Sequence, residues 1–249
     1  MMRLFAHQVA AEQRVFWRNR ESAIFIFIFP VMLFLLLGSV YGDTIDGLPA
    51  AAVLLAGMLG YGAANTGFAG ITIVLVVRRE AGILKRLRAT PLPPATYFAA
   101  SLCSTLIVFS LQAVTLFGIG RLLFDTPFPE RIFSMIAVVL FGAAAFCGIG
   151  LATASLIRSA EGSSAVVNVI LLPMAFLSGS FGPTRSYPRV LEAIGEVLPL
   201  KYYIDVVKGV YLGGEHIWAE PRALAVVAAW GLGGLLVAAR RFSWEPRER

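Results

Sequence analysis

The chain has 249 residues, of which 58% are hydrophobic and only 14% are charged, and its mean hydropathy is +0.77. A soluble domain has about a quarter charged residues, so this composition excludes a disordered chain, a nucleic-acid-binding domain and almost any soluble enzyme. The net charge is +6, and two cysteines are too few for a disulfide scaffold or a cysteine-based zinc site. The high hydropathy and the low charged fraction together predict an integral membrane protein.

A helix that crosses about 30 Å of hydrocarbon needs roughly 20 apolar residues, and six uncharged stretches approach or exceed that length. They are Ile24–Tyr41, Ala50–Val77, Tyr97–Gly120, Ile132–Ile157, Ala165–Phe181 and Ala223–Ala239. The second is long enough to tilt or to continue beyond the bilayer, and the fifth is short. Glycines in the second and fourth spans, such as Gly60 and Gly148, predict closely packed helices. The predicted fold class is an all-α polytopic membrane protein with six transmembrane helices.

Residues 3–18, before the first span, predict an amphipathic helix that lies on the membrane surface. At 100° per residue its basic side chains fall on one stripe, which contains Arg3, His7, Arg14 and Arg18. Two interpretations remain open at this point. The helix is either a plain membrane anchor or a contact surface for a partner protein.

The segment after the second span, RREAGILKRLRATPLPP at 78–94, carries five basic residues and one acid. On a helix, Ile83, Leu84 and Leu87 share one face, and Glu80 points the same way. Prolines end such a helix because the residue before a proline favours an extended backbone. Exposed apolar ridges usually mark contacts, so the segment predicts a short helix that docks a cytoplasmic partner. The alternative is a plain connector.

The distribution of basic residues predicts the orientation of the chain. The N-terminal segment, the loops after the second and fourth spans, and the C-terminal tail hold 14 of the 21 lysines and arginines, and the other side holds 7. Short loops rich in these residues stay in the cytoplasm. Both termini are therefore predicted to be cytoplasmic, in agreement with the even number of spans.

The predicted spans contain no Asp, Glu, Lys, Arg or His. Ion-coupled carriers usually keep ionisable groups at membrane depth, so this composition disfavours a secondary transporter. The sequence also lacks a GxxxxGK[ST] phosphate-binding loop. If the chain moves a substrate uphill, the energy is predicted to come from a partner.

Several features together resemble the type-2 permease family of ABC exporters, whose bacterial members export drugs, lipids and polysaccharides. They are the N-terminal helix, the six spans, the short segment from Glu80 to Pro91, and a second signature at 176–210. In that signature, FLSGSFGPTRSYPRVLEAIGEVLPLKYYIDVVKGV, a Gly-Pro turn and a short helix come before a Pro-Leu-x-Tyr step. The resemblance extends over the whole chain.

The resemblance implies that the segment from Glu80 to Arg88 is the coupling helix, which docks into a separate ATPase subunit. Gly82 would allow close backbone approach, and Glu80 would pair with a basic residue of the N-terminal helix or the ATPase. The coupling contacts implied by the resemblance are Glu80, Gly82, Ile83, Leu84 and Leu87, with Arg14 and Arg18 as a second contact. ATP and magnesium would be bound by the ATPase, and no cofactor or metal is expected in this chain.

The resemblance also implies a dimer, with either an identical or a different second permease, in which the first and fifth spans face the partner and frame the substrate route. The expected residues are Phe25, Phe29, Pro30, Leu33, Asn168, Pro173, Met174 and Phe176. Aromatic side chains facing lipid are the alternative reading. The implied function is outward transport of a hydrophobic or amphipathic drug, lipid or glycolipid across the bacterial inner membrane.

The chain is expected to form a single transmembrane domain over 1–249. Its parts are the cytoplasmic amphipathic helix at 1–23, spans one to five at 24–181, an external segment at 182–222 that re-enters the outer leaflet, and the last span with its tail at 223–249. Membrane lipids are expected partners, and nucleic acid is not. Two other functions remain open: an ion-coupled carrier, or a lipid-modifying enzyme that would use the acids Glu192, Glu196, Asp205 and Glu215.

Overall fold

A computed structural model describes residues 2–185 and 187–245, and most of this part of the chain is helical. Its helices are α1 (Met2–Arg18), α2 (Arg20–Val40), α3 (Ala50–Ala63), α4 (Ile71–Glu80), α5 (Ile83–Arg88), α6 (Pro94–Phe124), α7 (Ile132–Leu156), α8 (Ala160–Leu177), α9 (Arg189–Gly195), α10 (Pro199–Tyr211) and α11 (Pro221–Arg241). A π-helical turn, Ala64–Gly70, joins α3 to α4. Between α2 and α3, the two-residue strands β1 (Thr44–Ile45) and β2 (Leu48–Pro49) pair antiparallel.

Within the described residues, six helical rods are long and apolar enough to cross a membrane: α2, the continuous rod from α3 to α4, α6, α7, α8 and α11. The prediction of an all-α polytopic membrane protein with six spans is therefore confirmed. Several rods are longer than predicted and include charged residues at their ends. The second span continues to Glu80, for example, and the first begins at Arg20.

The fifth span begins and ends earlier than predicted. The sequence predicted Ala165–Phe181, but α8 runs from Ala160 to Leu177. The side chain of Ser159 accepts a hydrogen bond from the Gly162 backbone amide and caps the start of the helix. Gly179, with φ of +78°, turns the chain after the helix end. Local capping therefore sets these bounds, whereas the prediction followed the absence of charge.

The second span is the central rod of the bundle. In its most apolar stretch 72% of the residues are buried, against 17–50% in the other spans. Its small residues allow this close approach, as predicted: an added Cβ at Gly60 would lie 2.3 Å from the Ile204 side chain of α10. The fourth span shows the same feature, because an added Cβ at Gly148 would lie 2.3 Å from the Gly231 carbonyl oxygen of α11. Small residues thus fix the packing of the rods that surround the site.

Candidate transmission site and substrate route

Helix α1 forms as predicted and packs along α6. The Gln13 side-chain amide donates to the backbone oxygen of Ser104 at 3.0 Å and to its hydroxyl at 2.9 Å. Arg14 and Arg18 are exposed. The two arginines predicted as contacts are therefore available to lipid headgroups or to a protein.

The last turn of α4 holds three consecutive charged residues, and the first of them joins three helices. Arg78 donates to the Glu12 carboxylate of α1 and to the Tyr97 hydroxyl of α6, each at 2.8 Å. The side chains of Arg78 and Glu12 are only 13% and 10% exposed. The low local dielectric strengthens the attraction within such a pair, and the additional hydrogen bond to Tyr97 offsets part of its desolvation cost. It fastens α4 to α1 and α6.

Arg79 and Glu80 connect the same turn to the loop between α7 and α8. Arg79 is 1% exposed, and its guanidinium donates to the Ala154 carbonyl at 2.9 Å and to the Ile157 carbonyl. Both acceptors lie at the C-terminal end of α7, where helix carbonyls lack intrahelical partners and carry partial negative charge. The Glu80 carboxylate accepts from the backbone amide of Ala160, the first residue of α8, and so contacts the positive end of that helix dipole.

Sequence reasoning expected Glu80 to pair with a basic residue of the N-terminal helix or of the ATPase. In the structure the ion pair with α1 is formed by the neighbouring Arg78 and Glu12, while Glu80 binds the start of α8. Glu12, Arg78, Arg79 and Tyr97 were not selected from the sequence as site residues. The signal available was the run of charged residues at the end of an apolar stretch, where Arg78 and Arg79 were counted only as basic residues of a cytoplasmic segment.

A sharp turn places α5 beyond this charged cluster. Gly82 has φ of +69°, a left-handed conformation that favours glycine. The predicted apolar ridge divides between two environments: Leu84 is fully buried in the chain's own core and Leu87 is half-buried against it, whereas Ile83 is 42% exposed. Leu84 therefore attaches α5 to the bundle, and Ile83 is the ridge residue that faces outward.

The C-terminal tail packs beside α5 and the start of α6. Phe242 and Trp244 contact the Phe98 ring at centroid distances of 5.1 and 5.4 Å, and Lys85 of α5 lies 3.9 Å from Glu245. Arg247 and Arg249, which were counted in the orientation argument, lie outside the described residues. The tail thus belongs to the same end of the bundle as the charged cluster.

The residues predicted for the substrate route separate into three groups. Phe25, Asn168, Pro173 and Phe176 are exposed, Phe29 and Leu33 are half-buried, and Pro30 and Met174 are buried. The outer faces of α2 and α8 are strongly apolar, and their exposed residues include Ile28, Met32, Val169 and Leu172. Both faces are therefore suited to contact lipid or another apolar surface.

A continuous row of aromatic rings connects these two faces. Phe25 stacks on Phe29 at 4.9 Å, Phe29 contacts Tyr61 of α3 at 5.9 Å, Tyr61 contacts Phe181 at 5.5 Å, and Phe181 contacts Phe176 of α8 at 4.7 Å. Tyr61 was not predicted from the sequence, where it stands as one aromatic residue within a glycine-rich span. The row joins residues of the first and fifth spans through the central rod.

The segment that the sequence predicted to be external contains the helices α9 and α10. One face of α10 is buried against α3 and α7: the ring of Tyr203 occupies the space where Gly142 has no side chain, and Ile204 lies against Gly60. In contrast, α9 exposes Val190 and Ile194, and Val197 just after it is exposed as well. This end of the bundle therefore presents a second apolar surface. It lies at the end of the second span opposite to the charged cluster.

The family model described as ABC-2 type transporter matches residues 4–212. This range contains nearly all of α1, the first five spans, α5, α9 and α10, and it covers most of the chain. The chain therefore belongs to the ABC-2 type transporter family, that is, to the type-2 permeases of ABC transporters. Members of this family are multi-pass permease subunits of the inner membrane, which pair with an ABC ATPase subunit and are not themselves ATPases.

Three relatives are similar to the chain at low identity. "Putative transport permease YvfS" of Bacillus subtilis (strain 168) is 23% identical over 219 residues, which cover 87% of this chain and 89% of that protein. "Probable multidrug ABC transporter permease YbhR" of Escherichia coli (strain K12) is 26% identical over 163 residues, covering 64% of this chain and 44% of that protein. "Inner membrane transport permease YhhJ" of the same organism is 24% identical over 161 residues, covering 63% and 42%. The matched part of the chain spans less than half the length of the two Escherichia coli proteins.

Proposed function

We propose that the chain is the membrane-spanning half of an ABC exporter, which moves a hydrophobic or amphipathic drug, lipid or glycolipid outward. A separate ATPase subunit binds ATP and magnesium and performs the hydrolysis. The observation that carries this proposal is the cluster Arg78–Glu80 at the base of α5. Its three side chains bind α1, α6, the end of α7 and the start of α8.

This cluster supports ATP coupling because it makes α5 a suitable point for applying force. Helix α5 presents Ile83 and three exposed basic residues, Lys85, Arg86 and Arg88. An ATPase that binds this surface displaces α5 when it closes around ATP. Since Leu84 is buried in the bundle and the adjacent turn of α4 contacts four other helices, a displacement of α5 is transmitted to all of them.

The apolar outer faces of α2 and α8 support a dimer, with an identical or a related second permease. In that arrangement the route or the contact between copies is lined by Phe25, Asn168, Pro173 and Phe176. The inner rings of the aromatic row, Phe29, Tyr61 and Phe181, pack between Phe25 and Phe176.

In the proposed orientation the termini lie in the cytoplasm and α1 lies on the inner leaflet, with Arg14 and Arg18 toward headgroups or the ATPase. Helices α9 and α10 lie at the outer leaflet. The name of the YbhR relative supports a drug as one class of substrate.

The test is purification of the tagged chain from its native membrane, followed by identification of bound ABC ATPase and measurement of ATP hydrolysis. We expect Ile83→Asp to abolish binding, because it places an acid in the outward apolar contact. Leu48→Asp is the matched control, since Leu48 is 42% exposed in the hairpin between the first two spans. ATPase bound equally to the Ile83→Asp chain and to the control would refute docking at α5. Gradient-driven transport by the chain alone in liposomes would support the ion-coupled carrier instead.

A further inference from the structure

Gln112 is a fully buried amide in the middle of α6, and it bonds to two other spans. Its Nε2 group donates to the Ile26 carbonyl of α2 at 2.8 Å, and its Oε1 atom accepts from the Thr66 hydroxyl at 3.2 Å. Gln112 is 0% exposed and Thr66 is 5% exposed. A polar group at this depth is costly unless its hydrogen bonds are made, so both partners stabilise its position.

The first partner is a carbonyl that a proline has left without its helical donor. Pro30 lies inside α2 and has no backbone N–H, so the carbonyl of residue 26, four positions earlier, receives no helical hydrogen bond. Neighbouring helices can supply the missing donor in a membrane, and Gln112 supplies it here. The orientation of the amide is fixed, because a carbonyl only accepts and the NH₂ group must therefore face Ile26.

The second partner lies in the π-helical turn of the second span. Thr66 is part of the Ala64–Gly70 turn, where the regular α-helical bonding pattern is interrupted. The space for Gln112 comes from the same rod, since an added Cβ at Gly62 would lie 2.9 Å from Gln112 Oε1. One side chain therefore bonds the irregular segments of two spans that are separated in sequence.

We propose that Gln112 is a positioning residue, which fastens the proline kink of the first span to the π-helical turn of the second. The two irregular segments then reorient as one unit when the transporter changes conformation. This inference rests on the proposed function only in taking the change of conformation to be part of transport. The three-way junction itself involves no partner subunit. It also gives Pro30 a role distinct from lining the route.

A double-mutant cycle tests the junction on the purified full-length chain in detergent. Gln112→Leu leaves the Ile26 carbonyl without a donor, and we expect the thermal unfolding midpoint to fall by about 5 °C. In the Pro30→Ala background the new backbone amide of residue 30 bonds this carbonyl, so the same substitution is expected to cost less than half as much. Thr115→Val is the matched control on α6, because the Thr115 hydroxyl bonds only within its own helix to Leu111 in the described part of the chain. An equal fall in both backgrounds would overturn the proposal.

A distance measurement provides a readout that a merely structural role would not change. Spin labels at Ile24 and Val74, both exposed, report the separation of the two spans in the ATPase-bound complex, after Cys103 and Cys147 are replaced by alanine. We expect one distance with and without ATP–vanadate in the otherwise unchanged chain, and a nucleotide-dependent distance in Gln112→Leu. A distance that stays nucleotide-independent in Gln112→Leu would contradict coupled motion. If the unmodified chain binds no ATPase, the proposed function fails, and the double-mutant cycle still decides the junction.

Discussion

Arg79 is a buried arginine at the end of a transmembrane rod. A buried charge is costly unless its desolvation is offset by close hydrogen bonds. The Ala154 and Ile157 carbonyls at the C-terminal end of α7 provide such acceptors, and the dipole of that helix favours a cation there. The sequence placed Arg79 only among the basic residues that follow the second span, because residue type alone does not show that Ala154 and Ile157 lie beside it.

Replacing Arg79 with methionine keeps most of the side-chain length but removes the donors. We expect Arg79→Met to lower the free energy of unfolding by about 2–3 kcal/mol, because the carbonyls lose a charged partner in a buried site. Arg86→Met, at an exposed position of α5, removes the same charge and is expected to change stability little. Thermal unfolding of both variants in detergent provides the measurement. Equal destabilisation by the two changes would contradict a special role for Arg79.

The two neighbouring apolar residues of α5 are expected to differ in what they affect. Leu84→Ala creates a cavity in the core and should lower the free energy of unfolding by about 2–4 kcal/mol. Ile83→Ala should leave stability nearly unchanged and weaken ATPase binding. Unfolding curves and binding titrations of the two variants separate these effects. If Ile83→Ala binds the ATPase as tightly as the unmodified chain, Ile83 is not a docking contact.

At the scale of elements, the bundle is organised by which helices can approach most closely. Helices α7 and α11 pack with their backbones nearly in contact, because an added Cβ at Gly234 would lie 2.5 Å from the Gly148 carbonyl oxygen. Between membrane helices such packing replaces the hydrophobic driving force that water provides. The central second span uses small residues in the same way, but it also contains the π-helical turn in which the Thr66 hydroxyl donates to Gln112.

Adjacent glycines of α11 offer a direct test of this packing. We expect Gly234→Ala to lower the free energy of unfolding by about 1–3 kcal/mol, because the backbone of α7 has to move away. An added Cβ at Gly233 meets no atom within 4 Å in the described part of the chain. Gly233→Ala should therefore leave stability unchanged or raise it by about 0.5–1 kcal/mol, through better helix propensity. Thermal midpoints are the readout, and a similar midpoint for both variants would disprove the packing argument.

At the scale of the whole molecule, the two ends of the bundle differ in chemistry. One end carries α1, the charged cluster of Arg78–Glu80, α5 and the tail, and most of the basic residues lie there. The other end carries the short hairpin, α9 and α10. The proposed docking of an ATPase at α5 requires the basic end to be the cytoplasmic one, and the positive-inside rule predicts the same orientation.

Cysteine labelling with a membrane-impermeant maleimide tests this orientation. In a chain with Cys103 and Cys147 replaced by alanine, we expect Gly42→Cys to be labelled in intact cells after outer-membrane permeabilisation. Ala89→Cys, at the end of α5, should be labelled only after the inner membrane is opened. Both positions are exposed, so accessibility of the side chain does not differ between them. The reverse labelling pattern would invert the topology and would also exclude α5 as the ATPase contact.

The sequence alone determined the number of spans, the existence of α1, α5 and the helices between the fifth and sixth spans, and the family resemblance. These are properties of local composition, since about 20 consecutive apolar residues form a span whatever their neighbours are. The exact bounds of the helices were predicted less accurately, as the earlier start of α8 shows. A capping residue such as Ser159 can start a helix before the apolar stretch begins.

Only the tertiary structure decided which partner each polar residue has. Gln112 and Ile26 are 86 positions apart, and Arg79 and Ala154 are 75 apart, so no window of the sequence contains both members of either pair. The same holds for the burial of Leu84 and the exposure of Ile83, which a helical wheel places on one face. Inside a membrane, buried polar groups must find hydrogen-bond partners in the protein itself, and the packing of the helices determines which groups are near enough to serve.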